Sequence, residues 1–429
     1  MAATSPWADI YLEHPIPAAV GVDPLDAAYP THSGGGDRAA RKQPPLRIGY
    51  AAVWDRVQER TWSGSSWHLR DALRQVADIS DIGVQYPLPT AMVLKAMHTR
   101  LRNGRLTTSW YTSRLTDAYI NLDLRRGIKK NFGDSRYDAI LMIDSIATLP
   151  EPCFTYFDCS WDLMMASAVS LKRYATHRRI TPANVQRRRD LQVAIYEKMT
   201  GIFVESHWQA RSLIEQSGIS AEKIHVTPPA IVAGRASRDS RVPLPHRTGP
   251  RRKLLFIGRM YEANDFYRKG GDLVVQALSV LRREYDPQMT LTVVGMHEWP
   301  LPGSIPDGVN FRGVLSPAEV AKLYDSHDLL VMPSRLEPFG LVFAEALARG
   351  MPCVARNACA MPEIVTPGVS GALIDKDDEH ELAAAIISVL NDDDIYAKCR
   401  DRAPRIGEYF TWDRTARDMV HVMSTTAAR

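Results

Sequence analysis

The sequence predicts an α/β fold made of two doubly wound parallel sheets. Short, continuous apolar runs alternate with segments of helical periodicity in both halves of the chain, a pattern typical of parallel strands covered by helices on both faces. Residues 227–250, rich in proline, arginine and serine, separate the two alternating regions. The 429 residues suffice for two or three domains, and the 45% apolar and 24% charged composition is that of a soluble globular protein.

The first alternating region contains four apolar runs that predict buried strands, at 46–50, 139–143, 154–157 and 202–204. Residues 64–76 carry apolar side chains at helical spacing and predict a helix after the first strand. Thr181 followed by Pro182 is typical of a helix start and predicts a helix that ends near Met199.

The second region opens with a predicted strand at 254–257, and a later apolar run at 329–332 predicts another. The turn residues Pro333 and Ser334 end that run. A helix is predicted directly after Gly340, because the residues that follow repeat apolar side chains at helical spacing.

Two carboxylates, Glu337 and Glu345, bracket this loop-to-helix transition. The N–H groups and the positive dipole end of a helix that follows a glycine loop favour a phosphate. A carboxylate one turn further along can accept hydrogen bonds from sugar hydroxyls. The stretch 337–345 therefore predicts a site for a nucleotide-sugar.

Residues 337–345 and four further segments resemble, in order, the motifs of the retaining glycosyltransferases of family 4. The other segments are 256–259, 268–271, 311–314 and 360–371. The resemblance covers about residues 200–412 well and the N-terminal half only loosely. It implies the GT-B fold, in which two Rossmann-like domains face each other across a cleft.

The implied domains follow from this resemblance and from the composition. A disordered tail is expected at 1–45, an acceptor-side domain at 46–228 with the C-terminal helix 411–429, a linker at 229–250 and a nucleotide-sugar domain at 251–410.

The resemblance also implies roles for cationic side chains. Arg259 and Lys269 match the two cations that meet the charge of the departing diphosphate. Gly258 lets the backbone approach that group. Glu337 would contact the transferred sugar. No protein nucleophile is implied.

The remaining donor contacts are implied in the same way. Glu345 would hold the ribose hydroxyls, and the loop after Phe339 would offer backbone N–H groups at Gly340 and Leu341. The backbone at Arg312, Gly313 and Val314 would read the base.

The N-terminal half departs from the family at two places. Many members carry a histidine after the strand that faces the sugar, whereas this chain has Asp158 after that strand. Asp158 is a candidate for binding the acceptor hydroxyl or the donor sugar, and a structural cap is the alternative. Gly64 stands where members commonly have a Gly-Gly turn, so it would either belong to a loop over the diphosphate or simply cap a helix.

Charge is uneven. Residues 91–136 hold ten Lys or Arg and three Asp, and residues 172–189 hold seven Lys or Arg and no acid, in a chain whose formal net charge is +4. Apolar residues interleave with the first block, as in a helix that lies on a membrane surface. An anionic lipid or polymer acceptor is one interpretation and a solvated surface is the other. No nucleic-acid-binding module is recognisable.

The sequence also bears on cofactors and location. No cluster of metal ligands is recognisable, so we expect no metal cofactor. No apolar run approaches the roughly 18 residues of a membrane span. The N-terminus lacks a signal pattern, and five cysteines without a C-x-x-C pair favour reduced thiols. These features predict a cytoplasmic protein, peripheral on the inner face of the membrane if the basic segments bind lipid.

The function expected from the resemblance is transfer, with retention, of a sugar from a UDP- or GDP-sugar to a hydroxyl acceptor such as a glycan, glycolipid or natural-product glycoside. Two alternatives share the fold: a nucleotide-sugar epimerase and a non-catalytic nucleotide-sugar-binding protein. The donor sugar, the acceptor and the oligomeric state stay open.

Overall fold

The computed structural model describes residues 45–102, 105–108, 110, 113–132, 136–144, 147–164, 182–231 and 249–427. The predicted tail at 1–45 and the predicted linker at 229–250 lie largely outside these residues. The described chain divides into two compact units, one formed by residues up to 229 together with 412–427, the other by 230–411.

The first unit is built on a six-stranded parallel sheet. Its strands, with two short two-stranded pairs, are β1 (Arg47–Ala51), β2 (Val53–Trp54), β3 (Asp78–Asp81), β4 (Val84–Gln85), β5 (Thr99–Arg102), β6 (Arg105–Thr108), β7 (Ala139–Ile143), β8 (Cys153–Phe157), β9 (Gly201–Val204) and β10 (Ile224–Val226). The large sheet has the order β10-β9-β8-β7-β1-β3, with every pairing parallel. Every residue of β7 and β8 is buried, as their continuous apolar sequences predict.

Five helices of this unit precede the second sheet: α1 (Ser65–Leu73), α2 (Leu88–His98), α3 (Arg114–Phe132), α4 (Pro182–Tyr196) and α5 (His207–Glu215). A 3-10 turn, Gln58–Gly64, leads into α1. The helix predicted over 64–76 is therefore shorter, and the helix predicted to Met199 ends at Tyr196.

The second unit contains another six-stranded parallel sheet. Its strands are β11 (Lys253–Ile257), β12 (Thr290–Val294), β13 (Val309–Phe311), β14 (Leu329–Val331), β15 (Cys353–Arg356) and β16 (Gly371–Ile374). Its helices are α6 (Ala263–Arg268), α7 (Gly271–Glu284), α8 (Pro317–Ser326), α9 (Leu341–Leu347), α10 (Glu379–Leu390) and α11 (Asp393–Tyr409). The strand order is β13-β12-β11-β14-β15-β16, and the predicted α/β class with two parallel sheets is confirmed.

The strand order of this second sheet reverses between β11 and β14. These strands are neighbours, although the chain forms β12 and β13 on one side before it returns to the centre. Loops diverge at such a point and leave a crevice outside the carboxyl ends of the strands, where α/β sheets bind ligands. Gly258 and Arg259 follow β11, and the loop that carries Glu337 follows β14.

The last helix, α12 (Trp412–Ala427), belongs to the first unit. Its Ala416, Met419 and Met423 are fully buried in the same hydrophobic cluster as Tyr50 of β1 and Leu69 of α1. No helix within the described ranges is both long and apolar enough to cross a lipid bilayer.

Candidate functional site

The turn after β11 brings a backbone and a lysine stem into close contact. A Cβ atom on Gly258 would lie 2.7 Å from Cδ of Lys269, so no larger residue fits without moving that side chain. On the opposite side, a Cβ on Gly295 would lie 1.6 Å from the carbonyl oxygen of Gly258. Because both positions are glycine, the stem of Lys269 can pack against the end of β11, beside the exposed Arg259.

Lys269 forms an ion pair with the first carboxylate of the 337–345 stretch. Its Nζ donates to Oε2 of Glu337 at 2.8 Å, and both side chains are nearly buried. Ser334 Oγ lies 3.4 Å from the same oxygen. Because the two residues stand 68 positions apart in the chain, the pair joins the element after β11 to the loop after β14, on the two sides of the strand-order reversal.

The loop that carries Glu337 is anchored by a buried arginine that the sequence analysis did not single out. The guanidinium group of Arg335 donates to both carboxylate oxygens of Asp272 at 2.7 and 3.1 Å, to Asp377 at 2.8 Å and to the Tyr267 carbonyl. Arg356 also donates to Asp377. A forked, charge-assisted arrangement of this kind fixes the loop geometrically. In the sequence, Arg335 is recognisable only as an arginine that lies between a predicted strand and a carboxylate.

The helix start predicted after Gly340 is confirmed. Gly340 has φ +97°, a left-handed conformation that favours glycine, and a Cβ there would lie 2.6 Å from the Phe343 ring. Leu341 is the first residue of α9. Phe339 is buried, with its ring in an edge contact with Phe410 at 5.9 Å between centroids.

The second carboxylate, Glu345, lies one turn inside α9 and is partly buried. Tyr324 of α8 donates its hydroxyl hydrogen to Oε2 of Glu345 at 2.8 Å. Burial, and then the Glu345 charge, raise the pKa of Tyr324 well above its ordinary value. The hydroxyl therefore stays protonated as a donor and orients the carboxylate. The tyrosine was missed by the sequence analysis because it lies on another helix.

The predicted base-reading segment follows β13. The Arg312 N–H donates to the Val293 carbonyl at 2.9 Å, and the Gly313 carbonyl accepts from the Gly295 N–H at 2.8 Å. Gly313 is left-handed with φ +67°. Val314 is exposed. This segment is thus fixed by its backbone to the end of β12, next to the turn at Gly258.

The other two predicted residues lie in the first unit. Asp158 follows β8, and its carbonyl accepts from the Gln209 side chain. Protein atoms around the Asp158 carboxyl group desolvate it and raise its pKa. A hydrogen bond from Trp62 opposes this shift, and the neighbouring Asp144 charge adds to it. Gly64 has φ +92° and occupies the N-cap position of α1.

Asp144 is a further residue that the sequence analysis missed. It follows β7 directly, next to the point where the first sheet reverses its strand order between β1 and β7. It has a positive φ of 65°, rare for a residue other than glycine, and its side chain is exposed. The sequence feature that could have identified Asp144 is an aspartate directly after a predicted buried strand.

The basic segment 172–189 lies outside the described residues up to position 181, and its described arginines are paired. Arg187 and Arg188 both contact Asp117, and Arg189 contacts Asp162 at 2.6 Å. Each of these three arginines therefore has an acidic partner in the same unit. Among the described side chains, no group of three or more His, Cys, Asp or Glu is placed to hold a metal ion.

A protein-family model matches the second unit, and curated proteins match about half of the chain or less. Residues 245–406 match the family model described as glycosyl transferases group 1. A glycogen synthase of Mycobacterium tuberculosis is 37% identical over 179 residues, covering 40% of this chain and 41% of that protein. A D-inositol 3-phosphate glycosyltransferase of Thermobispora bispora is 28% identical over 242 residues, covering 52% of this chain and 55% of its own. The chain thus spans about half the length, or less, of these curated relatives.

Solved structures match over most of the chain and show the fold. A sucrose-phosphate synthase from Thermosynechococcus elongatus superimposes with a TM-score of 0.61 and 18% identity, covering 89% of this chain and 100% of that one. WaaG, a glycosyltransferase of lipopolysaccharide biosynthesis, superimposes with a TM-score of 0.54 and 12% identity, covering 88% of this chain and 99% of that one. Anabaena HepE, solved in complex with UDP and glucose, superimposes with a TM-score of 0.56 and 18% identity, covering 89% of this chain and 100% of that one.

These findings agree with the motifs and with the two parallel sheets. The GT-B fold class is confirmed by the solved structures, and the family resemblance by the match in the second unit. Residues 245–406, which contain Lys269, Glu337 and Glu345, are therefore the part of this chain that is similar to the glycosyl transferases group 1.

Proposed function

We propose that the chain is a retaining hexosyltransferase that moves a sugar from a UDP- or GDP-sugar to a hydroxyl of a glycan, a glycolipid or a natural-product glycoside. The Lys269–Glu337 ion pair carries the proposal, since it lies beside Gly258 and Arg259 where the second sheet reverses its strand order. The names of the curated relatives support hexosyl transfer. The UDP and glucose bound to a protein of similar fold support the donor class.

The proposed chemistry is electrostatic. As the bond between the anomeric carbon and the diphosphate oxygen breaks, negative charge builds on the diphosphate and positive charge on the sugar. Arg259 and Lys269 are proposed to stabilise the diphosphate, together with the N–H groups of Gly340 and Leu341. The acceptor hydroxyl then attacks the face that the diphosphate leaves, and its proton passes to a diphosphate oxygen.

The other residues are proposed to position the donor. Glu345, oriented by Tyr324, holds the ribose hydroxyls, and Glu337 contacts the transferred sugar. The backbone at 312–314, fixed to the end of β12, reads the base. In the first unit, Asp158 is proposed to contact the acceptor or the donor sugar.

A panel of nucleotide-sugars tests the proposal, with thermal shift for binding and slow donor hydrolysis for turnover. One or a few nucleoside-diphosphate hexoses should raise the melting temperature and release the sugar with its anomeric configuration retained. An isomerised nucleotide-sugar formed from the donor alone would instead identify an epimerase. A lack of donor binding in calorimetry would contradict the transferase and the binding-protein alternatives together. Binding without any turnover would favour the binding protein.

The division of labour between the two carboxylates gives the first prediction. Glu345→Gln should weaken binding of the bare nucleoside diphosphate and of the intact donor alike, by roughly tenfold, because it loses charge-assisted hydrogen bonds to ribose. Glu337→Gln should impair only the sugar-bearing donor. It should leave nucleoside diphosphate binding equal or tighter, because the Lys269 charge is no longer compensated. Isothermal titration calorimetry measures all four constants.

Tyr324→Phe is the matched control for this prediction. It removes the hydrogen bond that orients Glu345 and leaves the carboxylate in place, so its effect on nucleoside diphosphate binding should be smaller than that of Glu345→Gln. Equal losses of nucleoside diphosphate affinity in the Glu337 and Glu345 variants would refute the assignment.

The second prediction concerns metal ions. Because protein cations are proposed to meet the diphosphate, transfer should persist in excess EDTA at a rate close to that of the untreated enzyme. The rate is measured from nucleoside diphosphate release before and after chelation. A complete loss that Mg²⁺ restores would show that a divalent ion does this work.

A further inference from the structure

The outward face of α2 is apolar. Leu88, Met92, Val93 and Met97 are 54%, 61%, 57% and 61% exposed, whereas Leu94 on the opposite face is 8% exposed. The pairs Leu88/Met92 and Val93/Met97 are spaced by four residues, so each pair stacks along one side of the helix. The usual pattern of a surface helix, with its polar face toward solvent, is therefore not followed here.

The exposure is concentrated at this place. Leu101, in the strand β5 directly after α2, is 71% exposed. Of the thirteen large apolar residues that are exposed in the described chain, five therefore lie within residues 88–101. Singly exposed apolar side chains are ordinary, but a contiguous group marks an interaction surface.

The neighbouring helix supplies positive charge. Tyr119 of α3 stacks on Tyr86, which lies two residues before α2, at 5.4 Å between ring centroids, and its hydroxyl lies near the Thr90 side chain of α2. The two helices are therefore neighbours. The exposed residues of α3 include five cations, Arg114, Arg125, Arg126, Lys129 and Lys130. Lys95 on α2 is also exposed.

The acidic side chains of α3 do not balance these cations. Asp117 is occupied by Arg187 and Arg188, at 3.4 and 2.7 Å. Asp123 is half-buried and lies near Tyr119. The surface is therefore apolar on α2 and cationic on α3. A binding partner that is complementary to it would be apolar and anionic.

We propose that α2 and α3 form a docking surface for an anionic lipid bilayer. The apolar side chains of α2 enter the boundary between headgroups and acyl chains, and the cations of α3 meet the anionic headgroups. A second copy of this chain fits less well, because a two-fold interface pairs a patch with itself and would bring the two sets of cations together. The proposal does not depend on the transferase activity, since lipid binding requires no turnover.

Sedimentation with vesicles tests the proposal on the full chain. The protein should bind vesicles of phosphatidylcholine and phosphatidylglycerol, and bind pure phosphatidylcholine vesicles much more weakly. The triple variant Met92→Ser/Val93→Ser/Met97→Ser should lose roughly tenfold or more in affinity, because it removes the inserted side chains. The variant Arg125→Gln/Arg126→Gln/Lys129→Gln/Lys130→Gln should lose about fivefold per charge at low salt.

Matched variants at exposed positions elsewhere serve as controls. Ile214→Ser and Ile305→Ser remove exposed apolar side chains, and Arg283→Gln removes an exposed charge, so all three should bind vesicles like the unaltered protein. Circular dichroism and melting temperature establish that each variant is folded. The proposal is overturned if the unaltered protein ignores anionic vesicles, or if the triple serine variant binds them normally. A dimer that the triple variant converts to monomer, without vesicle binding, would identify a protein interface instead.

Discussion

Replacing Arg259 by alanine should lower kcat by roughly a hundredfold or more, because the guanidinium group is proposed to meet charge that grows only in the transition state. The loss should be larger in kcat than in donor affinity. The side chain is exposed at the end of β11, so its removal should leave the melting temperature unchanged. Steady-state kinetics at saturating donor, with a parallel thermal melt, measure both quantities.

The matched control is Arg283→Ala, which removes an exposed arginine from the same unit, on α7. This variant should keep a normal kcat. An Arg259→Ala protein with normal kcat would remove Arg259 from the proposed catalytic group. A lowered melting temperature in that variant would mean that the loss of rate reflects unfolding.

Lys269→Met should destabilise the second unit by about 3 kcal/mol, since it leaves Glu337 nearly buried without its cation. Methionine keeps an unbranched stem against Gly258, so the loss should come from charge and not from a cavity. Transfer should fall as well, because the diphosphate loses one of its two proposed cations. The unfolding midpoint in urea and the rate of donor turnover are the two readouts.

A double-mutant cycle separates the ion pair from other effects. Glu337→Gln alone should cost less stability than Lys269→Met, because the amide can still accept a hydrogen bond from the amine. The double variant Lys269→Met/Glu337→Gln should be more stable than the sum of the two single losses predicts. Additive losses would mean that the two side chains are not energetically coupled in solution.

The sequence was sufficient to predict the fold class and several elements, for a simple physical reason. A strand buried on both faces of a parallel sheet is a continuous apolar run, and β7, β8, β9 and β11 lie within one residue of their predicted positions. The start of α9 was predicted equally well, because the left-handed conformation at Gly340 is a local property of glycine.

The contacts that define the site depend on residues far apart in the chain, and no local pattern encodes them. The Glu337–Lys269 pair and the Tyr324–Glu345 hydrogen bond span 68 and 21 residues. Similarly, the sequence of α2 carries apolar residues on more than one side, and only its packing shows which of them face outward.

The position of α12 bears on how the protein is made. The buried side chains Ala416, Met419 and Met423 complete a core whose strands begin at residue 47, while residues 230–411 form the other unit. On a ribosome that adds about 5–20 residues per second, the first unit must wait roughly 10–40 s for this helix while the second unit is synthesised. During that interval the incomplete first unit exposes apolar surface, and the second unit is free to fold first. Folding of the two units is therefore expected to run opposite to their order of synthesis.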